Sequence, residues 1–358
     1  MAKAKNPTHF DNHEAVIDLY YPPTNLPGVI SIHNSLRGPA TGGTRLWKYR
    51  TKNSVIADAN DLARTMTYKC AIHELDHGGG KTVFNRDPKI GLTPEELQWY
   101  AEEINKLEGR FWTGEDIGFT VDYVNQMSRY TKYVTGKSKE FGGGGDPSLR
   151  TAEGLMHAIH ACLTYKNLSH YDLFAHWFVV QGAGKVGFPL IKKLIEQNAM
   201  VFFCDTDKER AAFVQQACPE ATAIDPSSIF EYEIDFFVPC GKGGTVNRET
   251  IPRIAKTGCQ FIVPSANNVL GNSAKDARML QRFNILLAPD YVVNGGGIIN
   301  IASEMLPGGY NDLWAKEKTQ NIFNLLLCIF AEAEKSGMTT VEVADNIARS
   351  HLLRNKIA

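Results

Sequence analysis

The order of apolar and polar residues in the N-terminal part of the chain predicts a mixed α/β region. The apolar run at 29–33 predicts a short strand, and the apolar spacing at 54–68 and at 93–107 predicts two helices. Thr93 is a suitable N-cap for the second helix, and Pro94 suits its first helical position.

The pattern changes after residue 150. Apolar spacing at 151–166 predicts a helix, and short apolar runs then alternate with helical segments. These runs lie at 176–181, 200–205, 235–238, 260–263 and 285–288. Short buried strands separated by helices predict βαβ units and a parallel sheet. The segment at 313–335 then predicts one long amphipathic helix.

A glycine-rich stretch separates the two regions. Residues 141–148 contain four glycines and a proline, which suit neither a helix nor a strand. The chain has 358 residues, and at roughly 150 residues per domain this length predicts two domains. We place their boundary after residue 143.

Composition and charge exclude several classes of function. The 38 Lys+Arg residues balance 39 Asp+Glu residues, whereas binding to nucleic-acid phosphates needs a basic surface. No apolar run approaches the roughly 20 residues of a membrane span, and the start of the chain lacks the pattern of a secretory signal. Seven cysteines without a C-x-x-C motif disfavour a disulfide framework or a zinc site, so we expect a cytoplasmic protein without a metal.

The clearest local motif is G-x-G-x-x-G at 182–187, directly after an apolar run. In a dinucleotide site such glycines allow a tight turn, a close approach of the pyrophosphate, and close packing of helix on strand. Asp205 closes the next predicted strand, 23 residues after Gly182, where an acid can bind the adenosine ribose. The alternative is a tight strand–helix turn in an α/β domain that binds no nucleotide.

Two lysines lie in unusual contexts, Lys69 in Met-Thr-Tyr-Lys and Lys81 after three glycines. A P-loop would need glycine at position 75, which is Leu75, so a nucleotide triphosphatase is disfavoured. A lysine on a glycine-rich loop can contact a ligand, and burial can lower its pKa. The alternative is an ordinary solvated lysine.

Three further polar clusters could bind a ligand or simply form turns. They are Gly114-Glu-Asp116, Ser265-Ala-Asn267-Asn268 and Asp290 to Gly297 with Asn294. The last two follow predicted strands, and ligands bind at the carboxyl ends of parallel strands. His157 and His160 share a helix face, but no carboxylate or cysteine nearby completes a metal set.

Taken together, the motifs resemble the glutamate/leucine/phenylalanine/valine dehydrogenase superfamily, and within it the leucine and phenylalanine dehydrogenase branch, with tryptophan dehydrogenases among the relatives. The matching stretches occur in family order from about residue 30 to 310. They are 38–45, 66–69, 78–83, 115–118, 146–148, 151–152, 182–187, 239–240, 265–268 and 290–296.

The resemblance implies a two-domain α/β amino-acid dehydrogenase fold with a cleft between the domains. An N-terminal substrate domain at 1–143 would receive the C-terminal segment, about 336–358, packed back onto it. A Rossmann-type NAD-binding domain with a connecting helix would span 144–335. The implied reaction is reversible oxidative deamination of an L-amino acid to a 2-oxo acid and ammonia with NAD as cofactor, and the implied assembly is a homo-oligomer.

The resemblance also implies roles for individual residues. Lys81 and Asp116 would be catalytic. Substrate would be bound by Gly43, Lys69, Asn267 and Asn294, within a side-chain pocket of Thr41, Gly114, Ile298 and Ile301. The cofactor would contact Thr151, Gly182, Ala183, Gly184, Lys185, Val186, Gly187, Asp205, Thr206, Cys240, Ala266 and Asn268.

Departures from the family pattern bear on the substrate. Thr41 replaces the usual leucine. Gly114 resembles phenylalanine dehydrogenases, which tend to have glycine at this position, whereas leucine dehydrogenases have alanine. Ile298 replaces a smaller valine of the leucine enzymes, so it reduces the pocket volume that Gly114 increases. We expect an apolar, aromatic substrate (phenylalanine or tryptophan), with leucine or another branched aliphatic as the alternative. A catalytically silent dinucleotide-binding regulator is the alternative from another class.

Overall fold

The computed structural model describes residues 12–168 and 173–354, so the ends of the expected domains at residues 1 and 358 lie outside the described residues. The chain divides into two compact units. Unit 1 comprises the described residues of Met1–Asp146, Asn300–Asp312 and Ala348–Ala358, and unit 2 those of Pro147–Ile299 and Leu313–Ile347. The expected boundary at 143 thus falls at Asp146, and 300–312 groups with unit 1.

Twelve strands are found in the described part of the chain. They are β1 (Ala15–Tyr21), β2 (Leu26–Asn34), β3 (Ala40–Thr41), β4 (Thr44–Trp47), β5 (Gly78–Asn85), β6 (Phe111–Trp112), β7 (Trp177–Gln181), β8 (Met200–Cys204), β9 (Thr222–Ala223), β10 (Phe236–Pro239), β11 (Phe261–Ile262) and β12 (Leu286–Leu287).

Thirteen α-helices accompany these strands in the same described ranges. They are α1 (Lys52–Ile72), α2 (Pro94–Asn105), α3 (Val121–Met127), α4 (Pro147–Tyr165), α5 (Gly187–Glu196), α6 (Lys208–Ala217), α7 (Ile251–Lys256), α8 (Ser273–Arg282), α9 (Asp290–Val293), α10 (Gly296–Ser303), α11 (Asp312–Gln320), α12 (Ile322–Ser336) and α13 (Thr340–Arg354). Short 3₁₀ turns lie at Pro22–Thr24 and Lys139–Phe141.

Unit 1 is built on a mixed sheet with strand order β1-β2-β5-β3-β6, in which β4 also pairs with β5. β5 is antiparallel to β2 and parallel to β3 and β4, so it lies in the middle of the sheet. Its residues are almost all buried. The predicted helix at 93–107 begins at Pro94, because the Thr93 side chain accepts a hydrogen bond from the Glu96 amide.

Unit 2 contains the predicted parallel sheet, with strand order β12-β11-β10-β7-β8-β9. The chain reverses its direction of winding between β7 and β10, which are neighbours in the sheet. Dinucleotides bind in α/β sheets at such a point, beyond the carboxyl ends of the strands. None of the described helices is long and apolar enough to span a bilayer.

The prediction of one helix at 313–335 is wrong. The segment forms α11 and α12, which are separated at Asn321. Thr319 Oγ1 donates to the carbonyl of Ala315 at 2.7 Å. The interruption is a single residue: Asn321 keeps helical backbone angles, and its amide donates to the carbonyl of Glu317 at 3.2 Å. Asparagine has a low helix propensity, which suits it to the position between the two helices.

The C-terminal return begins later than the expected residue 336. In the first part of α13, Thr340 Oγ1 donates to the carbonyl of Leu287 at 2.7 Å, which holds this part on unit 2. Near its end, Arg349 Nε donates to Tyr68 Oη at 3.1 Å within unit 1. The helix therefore passes from one unit to the other at Ala348, and its packing on unit 1 is confined to its last turns.

Candidate active site

Lys81 and Asp116 form the centre of the candidate site in unit 1. Lys81 lies on β5, and its Nζ is 2.9 Å from Asp116 Oδ2. Asp116 is held in a tight turn closed by reciprocal backbone hydrogen bonds with Phe119. Gly118 adopts a φ of 78° in this turn, a conformation that glycine tolerates best. The turn fixes the carboxylate against the strand.

The surroundings shift both ionisations of this pair. Burial lowers the pKa of Lys81, although the charge of Asp116 opposes this effect. Burial alone would raise the pKa of Asp116, but the adjacent charges of Lys81 and Arg45 outweigh it and lower the pKa of the carboxyl. A lysine with a lowered pKa beside a carboxyl whose pKa is also lowered can serve as a general base.

Lys69 lies in the last turn of α1 and is buried, with only 7% of its surface exposed. Close contact between helix and strand explains its placement. A Cβ built on Gly79 would lie 2.1 Å from the backbone nitrogen of Thr67, so only glycine allows α1 to approach β5 this closely. Lys69 follows Thr67 by two residues, and Lys81 follows Gly79 by two residues on the same face of β5.

The glycine motif of unit 2 forms the turn between β7 and α5. Gly182 has a φ of 95°, and a Cβ on Gly187 would lie 1.9 Å from the carbonyl oxygen of Gly182. A Cβ on Gly184 would instead meet nothing within 4 Å. The first and third glycines are thus needed for the turn itself, whereas the second presents bare backbone to open space. This cradle fits a pyrophosphate at the start of α5.

Asp205 follows β8 and is tied to the glycine turn. Its Oδ2 accepts a hydrogen bond from the Ala183 amide at 2.8 Å, and its Oδ1 accepts one from the Asp207 amide at 2.9 Å. These contacts fix the carboxylate beside the turn. Each oxygen keeps lone pairs with which it could accept ribose hydroxyls.

Asn294 anchors a cluster of amides beyond the ends of β11 and β12. Its Nδ2 donates to the carbonyl of Ser265 and to Asn267 Oδ1, both at 2.9 Å. Its Oδ1 is buried and has no hydrogen-bond partner within the described residues. A buried acceptor without a partner is costly, so this oxygen fits a donor group of a bound molecule such as a carboxamide or an ammonium.

Comparison with known proteins agrees with this geometry. A family model described as Glu/Leu/Phe/Val dehydrogenase, dimerisation domain, matches residues 21–133. A second, described as Glutamate/Leucine/Phenylalanine/Valine dehydrogenase, matches residues 203–342. The chain belongs to the Glu/Leu/Phe/Val dehydrogenase family.

Individual relatives cover nearly the whole chain. A phenylalanine dehydrogenase of Caldalkalibacillus thermarum is 36% identical over 95% of this chain and 91% of its own. A leucine dehydrogenase of Geobacillus stearothermophilus is also 36% identical, with the same two coverages. The crystal structure of L-tryptophan dehydrogenase from Nostoc punctiforme superposes with a TM-score of 0.81 at 34% identity, covering 97% of this chain and 98% of that one.

Family membership confirms the predicted fold class and reaction class. The protein is a two-domain α/β amino-acid dehydrogenase, an oxidoreductase that acts on the CH–NH₂ group. The family uses NAD or NADP.

The four pocket residues that the resemblance implied are divided between the units. Thr41 (on β3), Gly114 and Ile301 belong to unit 1, whereas Ile298 belongs to unit 2. Thr41 is buried, and its Oγ1 lies 3.9 Å from the sulfur of Met305. Sequence reasoning missed Met305, because nothing in the family motifs points to it.

Gly114 owes its lack of a side chain to a close backbone contact. A Cβ there would lie 2.8 Å from the carbonyl oxygen of Thr135. The Thr135 amide donates to the carbonyl of Thr113 at 2.9 Å, and the Thr113 amide donates to the carbonyl of Tyr133 at 3.1 Å. The methyl group of an alanine at position 114 would therefore clash with the backbone of Thr135, in addition to any effect on the volume of the pocket.

The remaining residues with an expected role are placed as follows. Gly43 packs against the 115–116 backbone, since a Cβ would lie 2.2 Å from the Glu115 carbonyl oxygen. Thr151 Oγ1 donates to the carbonyl of Pro147 at 3.1 Å in the first turn of α4. The others surround the glycine turn or follow β8, β10 and β11. They are Lys185, Val186, Thr206, Cys240, Ala266 and Asn268.

Sequence reasoning also missed a second layer of charges behind Asp116. Arg45 Nε donates to Asp116 Oδ2 at 2.8 Å, and Arg45 Nη1 lies 3.3 Å from Asp58 Oδ2. Tyr49 Oη donates to the same Asp58 oxygen at 2.5 Å. Arg45 closes one of the family motifs, which was a usable signal. Asp58 and Tyr49 carry none, because their partners are set by tertiary packing.

Proposed function

We propose that the protein catalyses the NAD-dependent, reversible oxidative deamination of an aromatic L-amino acid to its 2-oxo acid and ammonia. The observation that carries the proposal is the ion pair between the buried Lys81 and the partly buried Asp116. It joins a lysine of lowered pKa to an ionised carboxylate, the combination that proton transfer at an amino group and a water molecule requires.

Each group has a distinct role in this proposal. Lys69 is the cation that binds the substrate carboxylate. Asp116 accepts a hydrogen bond from the substrate ammonium and takes up a proton from it. A bound nicotinamide would supply the acceptor for the hydride of Cα, and the glycine turn and Asp205 would hold its dinucleotide. Lys81, in its neutral form, then removes a proton from the water molecule that attacks the imino carbon. Asp116 returns its proton to the nitrogen, and the C–N bond breaks as the new hydroxyl loses its proton, which releases ammonia and the 2-oxo acid.

The position of Asp205 supports NAD over NADP. A carboxylate fixed by the Ala183 and Asp207 amides accepts both ribose hydroxyls and repels a 2′-phosphate. Asp207 is itself held as the N-cap of α6, so a second negative charge lies nearby. The orphaned Oδ1 of Asn294 suits a carboxamide of the nicotinamide or the substrate ammonium.

Side-chain volume supports an aromatic substrate. None of the four pocket residues is basic, so a second substrate carboxylate has no partner among them and glutamate is disfavoured. Thr41 is smaller than the leucine that the branch usually has, so it enlarges the side-chain pocket. Ile298 is larger than the valine of the leucine enzymes, so it offsets part of this gain in volume. A Cβ on Gly114 would point at Thr135. We therefore expect Thr41, more than Gly114, to determine the volume available to the substrate side chain.

Leucine or another branched aliphatic amino acid is the second candidate. Identity does not separate the two, since the phenylalanine and leucine dehydrogenases compared here are equally similar to the chain. A misfit of one methyl group in an apolar pocket changes catalytic efficiency by only about 10- to 200-fold, so related enzymes share substrates.

We further propose a homo-oligomer in a reducing compartment such as the cytoplasm. The match of residues 21–133 to a dimerisation domain supports self-association. All seven cysteines lie within the described residues and all are free thiols, which a reducing compartment preserves.

Formation of NADH, followed by its absorbance, tests the proposal. The protein is mixed with NAD and each of the twenty L-amino acids in turn, and then with NADP and the best substrate. We expect phenylalanine or tryptophan to give the highest kcat/KM and NADP to give little. Absence of NADH with every amino acid would overturn the reaction, and a clear preference for leucine would overturn only the substrate.

A further inference from the structure

Four side chains of alternating charge in unit 1, followed by a tyrosine hydroxyl, form a chain of contacts that leads away from the reacting pair. It runs from Lys81 through Asp116, Arg45 and Asp58 to Tyr49. Exposed side-chain fractions are 7% for Lys81, 22% for Asp116, 18% for Arg45 and 29% for Asp58. Ion pairs so shielded from water interact more strongly than surface pairs.

Separate elements supply these groups. Arg45 lies on β4, which pairs in parallel with β5. Asp58 lies on α1, six residues after the first residue of the helix, Lys52. Tyr49 follows β4, and its amide donates to Asn85 Oδ1 at 2.8 Å, which fixes the loop that carries it. The chain of contacts thus depends on the packing of α1 over the sheet.

The guanidinium of Arg45 is shared between two carboxylates. Its Nε contacts Asp116 and its Nη1 contacts Asp58, so neither carboxylate forms a two-pronged pair with it. A guanidinium prefers a bidentate contact with one carboxylate. Asp58, itself fixed by the Tyr49 hydroxyl, therefore prevents Arg45 from turning fully onto Asp116.

We propose that Asp58, fixed by Tyr49, is a positioning residue that acts through Arg45 to set the charge balance of the Lys81–Asp116 pair. The inference rests on the roles proposed above for Lys81 and Asp116. Neither Asp58 nor Tyr49 contacts the reacting atoms in this account. Their effect is electrostatic and geometric.

The sign of the effect follows from the charges. Burial lowers the pKa of Lys81, and so does the charge of Arg45. The charges of Asp116 and Asp58 act in the opposite direction and raise it. Removing the charge of Asp58 should therefore lower the pKa of Lys81, and removing that of Arg45 should raise it. Catalysis needs neutral Lys81, so the acid limb of the pH profile of kcat/KM should move with this pKa.

Other titratable groups on these elements have less influence on the acid limb of the pH profile. Lys48 and Arg50 flank Tyr49 and are exposed to solvent. Glu115 precedes Asp116 and is half-buried, and Lys69 lies about three helical turns beyond Asp58 on α1. All four are unchanged in the variants below, so differences between variants report on the removed group.

The test compares pH profiles of kcat/KM for the full-length wild type, Asp58→Asn, Arg45→Gln and Asp61→Asn. Asp61 is an exposed carboxylate on the same helix and serves as the matched control. We expect the acid limb to move by about half a pH unit or more to lower pH in Asp58→Asn and to higher pH in Arg45→Gln. Asp61→Asn should leave it in place.

Two further variants keep the test decisive if Arg45→Gln fails to fold. Tyr49→Phe should move the limb less than Asp58→Asn does, because it removes one hydrogen bond and keeps the charge of Asp58. Asp58→Glu should restore most of the wild-type position. A purely structural role would lower the rate at every pH and leave the limb unmoved.

The outcomes separate this inference from the proposed function. If the wild type forms NADH and Lys81→Ala does not, but the limb of Asp58→Asn coincides with that of Asp61→Asn, the positioning role of Asp58 is wrong and the proposed function stands. If the wild type forms no NADH with any amino acid, the proposed function is wrong and this inference falls with it.

Discussion

The Nζ of Lys81 lies 2.9 Å from Oδ2 of Asp116. Arg45 contacts the same oxygen, so both cations lower the pKa of the carboxyl, and the proton that the resting pair can lose belongs to the lysine. Lys69 and Lys81, the two lysines that are buried among the described residues of unit 1, therefore have different roles. Lys81 is paired for proton transfer, whereas Lys69 is the cation proposed for the substrate carboxylate.

We predict that Lys69→Ala raises KM for the amino acid by about 10- to 100-fold, because a charge-assisted hydrogen bond to the substrate is lost. The effect on kcat should be smaller than the effect on KM. Steady-state kinetics measure both, with Lys48→Ala, an exposed lysine of the same unit, as the control. A large fall in kcat with unchanged KM would show that Lys69 acts in the chemical step.

The glycine turn of unit 2 predicts opposite phenotypes for two alanine substitutions. Gly187→Ala places a Cβ against the carbonyl of Gly182 and should lower the free energy of unfolding by about 2–4 kcal/mol. Gly184→Ala meets open space and should change stability by less than about 0.5 kcal/mol while weakening NAD binding about tenfold or more.

Urea unfolding without cofactor measures the first effect, and calorimetric titration with NAD measures the second. The two variants serve as controls for each other. Normal NAD affinity in Gly184→Ala would place the pyrophosphate away from this turn.

We predict that Asp205→Asn lowers the ratio of kcat/KM for NAD over NADP by about tenfold or more, because the charge that repels a 2′-phosphate is removed. The asparagine oxygen still accepts from the Ala183 amide, so the turn should keep its shape. Glu209→Gln, an exposed carboxylate of α6, is the matched control. Unchanged ratios in Asp205→Asn would mean that another group reads the ribose.

Local patterns sufficed to predict much of the fold. The glycine motif after an apolar run placed β7, its turn and α5, because each residue type there has a backbone or packing reason. Capping residues likewise placed the start of α2 at Pro94. The parallel pairing of β7 with β8 and β10 agrees with the parallel sheet predicted from short strands separated by helices.

Long-range packing set the features that the sequence could not predict. The contact of Arg45 with Asp116 joins residues 71 positions apart, and nothing in the local pattern of Asp58 distinguishes it from Asp61. The late return of α13 at Ala348 depends on contacts of Thr340 and Arg349 with distant residues. Such contacts are decided by tertiary geometry and not by periodicity.

The most direct test of the account is the rate of NADH formation by Lys81→Ala with saturating phenylalanine and NAD, compared with the wild type. Loss of a general base lowers a rate by about 100- to 10,000-fold. We predict a fall of that size in kcat, with binding of the amino acid partly preserved because Lys69 remains. Near-normal turnover at saturating substrate would contradict the role of Lys81 and with it the mechanism proposed for this enzyme.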